Sequence, residues 1–388
     1  GTLDQKKVEL FLNELKDGND ALKVVTYKQI DSRTFDTELV NAIAEGRSPD
    51  LVILPSSLLV SYRTKLQALS AETLDPRVFR DTYVDGAEVF LMSDGTYGLP
   101  FAVDPLVMYW NRDLFSSGGL ATPPSTWESL VTETVPALVR TDPDLNITQS
   151  AIAFGEYANV EHAKDVLTML LMQAGTTIVT ESDGRYEVTL LRKNASALSP
   201  GEAALTFYTQ FVVPGKDLYS WNRAKRLDRD MFLAGDLALY FGLGSERSEL
   251  EAENSNLNFD VAMVPEGEGA TVKRTSGEFY AFVLPRASKN LQGAYALAKY
   301  LGNAENGPAL ADAFGFAPAH RTAYAGSVSD PFKQVVYQSA LIARAWLDPS
   351  PSGSADVFER MVEDYTSGRA RLSAVLSDAA SELQALFK

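Results

Sequence analysis

Acidic side chains stand beside aromatic rings or glycines at the ends of several apolar runs in this chain. Asp104 follows Pro100-Phe-Ala-Val103; Gly155-Glu156-Tyr157 follows an apolar run at 151–154; Gly277-Glu278-Phe279 precedes another that ends at Leu284. Phe241-Gly242 closes a fourth run, Ser56 and Ser57 follow Leu54-Pro55, and Trp221 and Trp346 stand in loop-like stretches. An ionised carboxylate accepts hydrogen bonds from hydroxyls, serine both donates and accepts, and a flat ring covers an apolar C–H face. Placed where strand ends open onto a cleft, such a set could hold a small polar solute. Each residue also has a structural alternative. Asp104 suits a turn, Tyr157 could cover a helix face, Trp221 and Trp346 could be core, and a glycine after a strand could mark a bulge.

Other chemistries lack their parts. With no cysteine in 388 residues there is no thiolate nucleophile, disulfide or sulfur-ligated metal. The two histidines, His162 and His320, have no motif around them. No G-x-S-x-G, H-E-x-x-H, phosphate-binding loop or dinucleotide fingerprint occurs, so no cofactor and no enzyme activity is expected. A glycosidase or lyase with paired carboxylates stays open, because 51 acidic residues always allow a pair. The formal charge of −16 repels nucleic acid and anionic membrane surfaces.

The elements that must position these residues alternate between strand-like and helical patterns, which predicts α/β lobes with flanking helices. Val8, Phe11, Leu12 and Leu15 share a helical face, 22–27 reads as a strand, and Phe35, Leu39 and Ile43 make a helix stopping near Gly46. Short strands are predicted at 51–54, 237–241 and 259–264, and helices at 160–174 and from 355 onward. Ser125 with Glu128, and Ser199 with Glu202, have the spacing of capping boxes. The length predicts two lobes, and no apolar run reaches the ~20 residues that span a bilayer.

Four segments, at matching order and spacing, resemble the type 1 extracellular solute-binding proteins of ABC transporters, the group that includes maltose-binding protein. They are SPDLVIL (48–54), YGLPFAVDPLVMYWNRDLF (97–115) with PPSTWESL (123–130), MFLAGDLALYFG (231–242) and GFAPAHR (315–321). The resemblance implies a two-lobed periplasmic-binding-protein-like α/β fold of type II, each lobe a mixed sheet flanked by helices, with the ligand in the cleft between them. It places lobe one at 1–104 and 266–312, and lobe two at 105–265 and 313–388. It further implies lobe closure on a small-molecule solute, a mono- or oligosaccharide, and delivery to a membrane permease by an extracytoplasmic monomer, periplasmic or lipid-anchored. A polyamine or other cationic solute is the alternative ligand. Where the family has a first strand and a cleft loop, Gly1-Thr-Leu-Asp4 runs almost directly into a helix, which leaves Asp4 as the cleft residue there and a sheet edge unpaired. The tryptophan and charged residues of maltose-type binders are replaced by Pro55-Ser56-Ser57, and the ring expected after Gly242 is missing, so maltodextrin itself is not the expected ligand.

Overall fold

One strand organises the molecule. In the computed structural model, which describes residues 5–31, 33–192 and 199–387, Leu99–Asn111 is a strand in which all but one residue is buried. Its apolar run lacks the alternation of a half-exposed strand, as expected when both faces are covered. Residues 99–105 pair antiparallel with Thr275–Val283, and 106–110 pair antiparallel with Leu237–Leu243. The handover falls at Pro105, which has no N–H to give to either ladder.

Two bodies form around the two halves of this strand. In the first, Thr275–Val283 lies between it and the edge strand Val52–Pro55. Val103 and Phe279 point into a core with Leu54, Phe79 and Phe90, while Phe101 and Phe282 point into another with Leu12 and Phe316. In the second body the strand is flanked by Leu237–Leu243 and Phe259–Ala262, and Ile147–Ile152 adds in parallel. Leu106 and Met108 face a core with Trp127, Phe154 and Phe241; Val107 and Tyr109 face the opposite one with Trp221, Phe232 and Tyr240. The period of two in a strand sends consecutive residues to different cores.

Most predicted elements form. The first helix is Gln5–Gly18, Phe35–Ala44 is followed by Gly46 at φ 71°, and the helix Ala163–Gln173 stops before Gly175 at φ 101°. Ser199 and Glu202 make the reciprocal capping bonds of a capping box on Pro200–Thr209. At the other proposed box the cap is Thr126, whose side chain accepts from the Ser129 N–H, while Glu128 turns away to accept from the Glu268 N–H at 2.9 Å. The expected strand at 22–27 is replaced by a 3-10 helix, Asp20–Val24, capped by Asn19. Extended backbone needs a neighbour to satisfy its amides, and local turn bonds supply them here instead.

The crossings between bodies also fall later than 265 and 312. Glu266 bonds to Ser125 and Trp127 backbone, and Gln173 holds the carbonyls of Pro265 and Arg274, so 265–274 stay on the second body. Ala317–Pro318 pairs with residues 102–103, which keeps them on the first body; the helix Pro331–Ile342 touches both, with Val336 and Ala340 in the core of Leu54 and Phe332 and Val335 packed against that of Tyr109.

Candidate functional site

The crossing brings two carboxylates together. Asp104 and Glu278 are direct partners across the ladder of the first body, and opposite residues of an antiparallel pair project on the same face with Cβ atoms about 5 Å apart. Glu278 Oε1 accepts from Ser56 Oγ at 2.6 Å and from the Ser57 N–H at 2.9 Å. Asp104 accepts from the Ser245 N–H at 3.0 Å and from Ser245 Oγ at 2.6 Å, which ties the first body to a turn of the second. Burial raises both carboxyls above their ordinary values, Asp104 to about 6, against the opposing pull of the serine bonds. Among the described residues neither has an ion-pair partner.

Tyr280, one pleat beyond Glu278, stacks on Phe316 at 4.7 Å. Its phenol is raised by burial and then by the charges of Glu278, Asp104 and Asp165. Asp165 comes from the first turn of Ala163–Gln173 in the second body and is 43% exposed. It takes one contact from His162 Nδ1 at 3.2 Å, while His162 Nε2 lies 2.8 Å from Glu246 Oε1. With a carboxylate on each ring nitrogen, the imidazolium is favoured, and its pKa is well above the usual histidine value although burial opposes this. Glu246 also accepts from Tyr240 and the Leu243 N–H, so this chain of bonds fixes the turn that presents Ser245.

Half-buried Tyr157 packs against both cores of the second body, and its phenol is raised by burial and by Asp165 among other acids. Trp346 is half-buried, edge-on to Phe358 at 6.1 Å, with Lys164 Nζ 5.8 Å over its ring. Lys164 itself is held by Asp348 at 2.6 Å.

Other expected ligand residues have structural employment. Trp221 is fully buried with its indole N–H on Asn159, and Phe241 lies in the core between Trp127 and Phe154. Phe279 is core of the first body. Gly242 makes room for protein: a Cβ there would stand 2.5 Å from the Tyr240 ring and 3.0 Å from Glu246. At Gly277 it would meet Ala343, the Asp104 carbonyl and Pro105 within 3.3 Å. Glu156 is paired with Arg223 at 3.3 Å, and its carbonyl accepts from Tyr208. Asp4 lies outside the described residues. The sequence reading missed Tyr280, Asp165 and Ser245. Strand alternation from Glu278 could have found Tyr280; nothing local marks the other two.

Among the described residues no cluster of three or more His, Asp or Glu could hold a metal, and no helix is long and apolar enough to cross a membrane.

The profile of the bacterial extracellular solute-binding proteins matches residues 12–336. The chain belongs to that family. A protein of Brucella abortus (strain 2308), provisionally named a binding protein, is 25% identical over 368 residues, covering 90% of this solute-binding protein and 82% of its own length. Among solved structures, a cyclo/maltodextrin-binding protein complexed with maltotetraose superposes with a TM-score of 0.77 at 15% identity, covering 98% of this chain and 93% of the other. The GacH receptor of Streptomyces glaucescens GLA.O, solved unliganded and with acarbose, superposes at 0.72 with 15% identity, covering 100% and 97%. At such identities the superpositions establish a shared fold, the two-lobed α/β architecture of solute-binding proteins.

Proposed function

We propose that this protein is the substrate-binding component of an ABC importer, closing its two lobes on a small polar solute, a mono- or oligosaccharide. Among the described residues, lobe one comprises those up to 104 and 275–330, lobe two those at 106–274 and from 346, and the helix Pro331–Ile342 touches both. The observation that carries the reading is the carboxylate pair at the crossing between lobes, Asp104 buried and Glu278 half-buried. Serines on both sides fix its acceptor oxygens, and Tyr280, Tyr157 and Trp346 supply ring faces. Acceptors with no ion pair among the described residues suit a ligand rich in hydroxyl donors. The fold shared with proteins solved in complex with maltotetraose and acarbose supports the same class. The protein works outside the cytoplasmic membrane, periplasmic or lipid-anchored, as a monomer, and hands its solute to a membrane permease without altering it.

The two acids also suit an ammonium-bearing solute such as a polyamine. Thermal-shift screening against saccharides, polyamines and amino acids, with calorimetry of the hits, separates the two readings. A saturable saccharide response that is insensitive to salt and is weakened at least tenfold by Glu278→Gln supports the sugar reading. A polyamine response that fades with salt replaces it. Recovery of cleaved saccharide by mass spectrometry overturns the assignment as a binder.

A further inference from the structure

Two hairpin turns with the same sequence meet across the lobes. Ser93-Asp94-Gly95 turns the hairpin of Leu91–Met92 and Gly95–Thr96 in lobe one; Ser182-Asp183-Gly184 turns the hairpin of Val179–Ser182 and Arg185–Val188 in lobe two. A tyrosine follows each glycine by two residues, and Arg63 lies between them, its guanidinium 5.4 Å from the Tyr97 ring and 5.6 Å from the Tyr186 ring. Arg63 donates to the Tyr186 hydroxyl at 2.8 Å and pairs with Asp94 at 2.8 Å and with Glu181 at 3.5 Å. Glu181 in turn accepts from the Ser93 N–H at 3.0 Å and from Ser93 Oγ at 2.6 Å. These side chains are largely enclosed: Arg63 is 12% exposed and Glu181 6%. Both ends are anchored. Tyr186 stacks on Phe387 at 4.6 Å and its hairpin exchanges bonds with Gln384, while Leu91 and Met92 pack on the lobe-one core. Two residues before Arg63, Ser61 Oγ donates to the Pro349 carbonyl at 3.0 Å, a further contact between the lobes.

We propose that Arg63, Ser93 and Glu181, with Tyr186, form a latch that holds the lobes together by contacts of the protein's own, independent of those made to solute. Nothing in the latch touches Asp104 or Glu278. It therefore sets how readily the lobes part, while the carboxylate site sets what they close on. Hydrogen bonds to charged groups are the strong ones, and a closed-to-open ratio carried by several of them falls about 10- to 100-fold when the charge is removed.

The inference rests on the reading that the lobes move as a clamp, and the test separates the two. Because the chain has no cysteine, Gln292→Cys and Ser377→Cys, both exposed and on opposite lobes, give a single spin-label pair for distance measurement by electron paramagnetic resonance. Arg63→Ala and Glu181→Gln are each added to this pair, with circular dichroism to confirm folding. A cleft-wedging variant, Ser57→Trp, serves as the opening control. A longer distance appearing in both latch variants, with the double variant at least as open as either alone, is the expected result. Unchanged distances in the latch variants while Ser57→Trp opens overturn the latch and leave the clamp. One distance in every protein, the wedge included, overturns both.

Discussion

At the scale of single residues, the site is built from groups that cost stability. Asp104 is driven to about 6 by burial. The sign follows from linkage. A carboxyl raised above its unfolded value of 3.8 contributes stability that is full below that value and is lost as pH rises through about 6. Asp104→Asn removes the penalty while its amide can still serve Ser245, so denaturant melts at pH 8 are expected to show the variant more stable by about 2–3 kcal/mol, with the gap closing at pH 3. Solute affinity should fall in the same variant. His162 works in the other direction. Held charged by Glu246 and Asp165, it contributes stability that is fully present below the usual histidine value and fades as pH climbs through its raised native value. The advantage of wild type over His162→Gln in thermal melts should therefore be largest below pH 6.5 and shrink under alkaline conditions.

At the scale of elements, close approaches decide which substitutions the frame tolerates. Leu237–Leu243 carries Gly242 where a methyl would press on Tyr240 and Glu246. Gly242→Ala should cost about 1–3 kcal/mol in denaturant melts by forcing that ring aside, and it should also weaken solute binding by displacing the turn that carries Ser245. The capping box on Pro200–Thr209 is a separable device. Ser199→Ala should cost about 1 kcal/mol and leave solute binding unchanged. The two substitutions differ because one element feeds the site through Glu246 and the other only packs beneath it. Glycine, read from sequence, signals a small volume; whether ligand or protein occupies that volume is a property of the neighbours.

At the scale of the whole molecule, a single strand shared by both lobes at Pro105 makes bending there the natural motion, with the later crossings near 274 and 344 moving alongside. In the proposed clamp a solute contacts both lobes only when they are together, so binding selects the closed form. Small-angle scattering should show a smaller radius of gyration on adding a saccharide that scores in the thermal screen, and Glu278→Gln should need more of that saccharide to reach the same compaction. The melting temperature should rise with the logarithm of free solute once the site is saturated, by mass action on the native state.

Much of this was written in the chain. The continuous apolar run of Leu99–Asn111, its interrupting proline and the capping of Pro200–Thr209 are local signals, because strand burial, a missing amide and a serine-glutamate spacing act within a few residues. With the resemblance of four segments to the solute-binding family they pointed to the α/β fold class; Asp104 and Glu278 came from that resemblance. Tertiary structure alone decided that these two acids face each other, that Trp221 and Phe241 fill the core, and that Ala317–Pro318 joins the sheet of the first lobe. A strand partner 174 positions away is not set by local propensity; an indole is equally at home in a core or on a cleft wall until the chain packs around it. Arg63 shows the same limit from the other side, since its role comes from two hairpins that lie far apart in sequence and meet only when the lobes do.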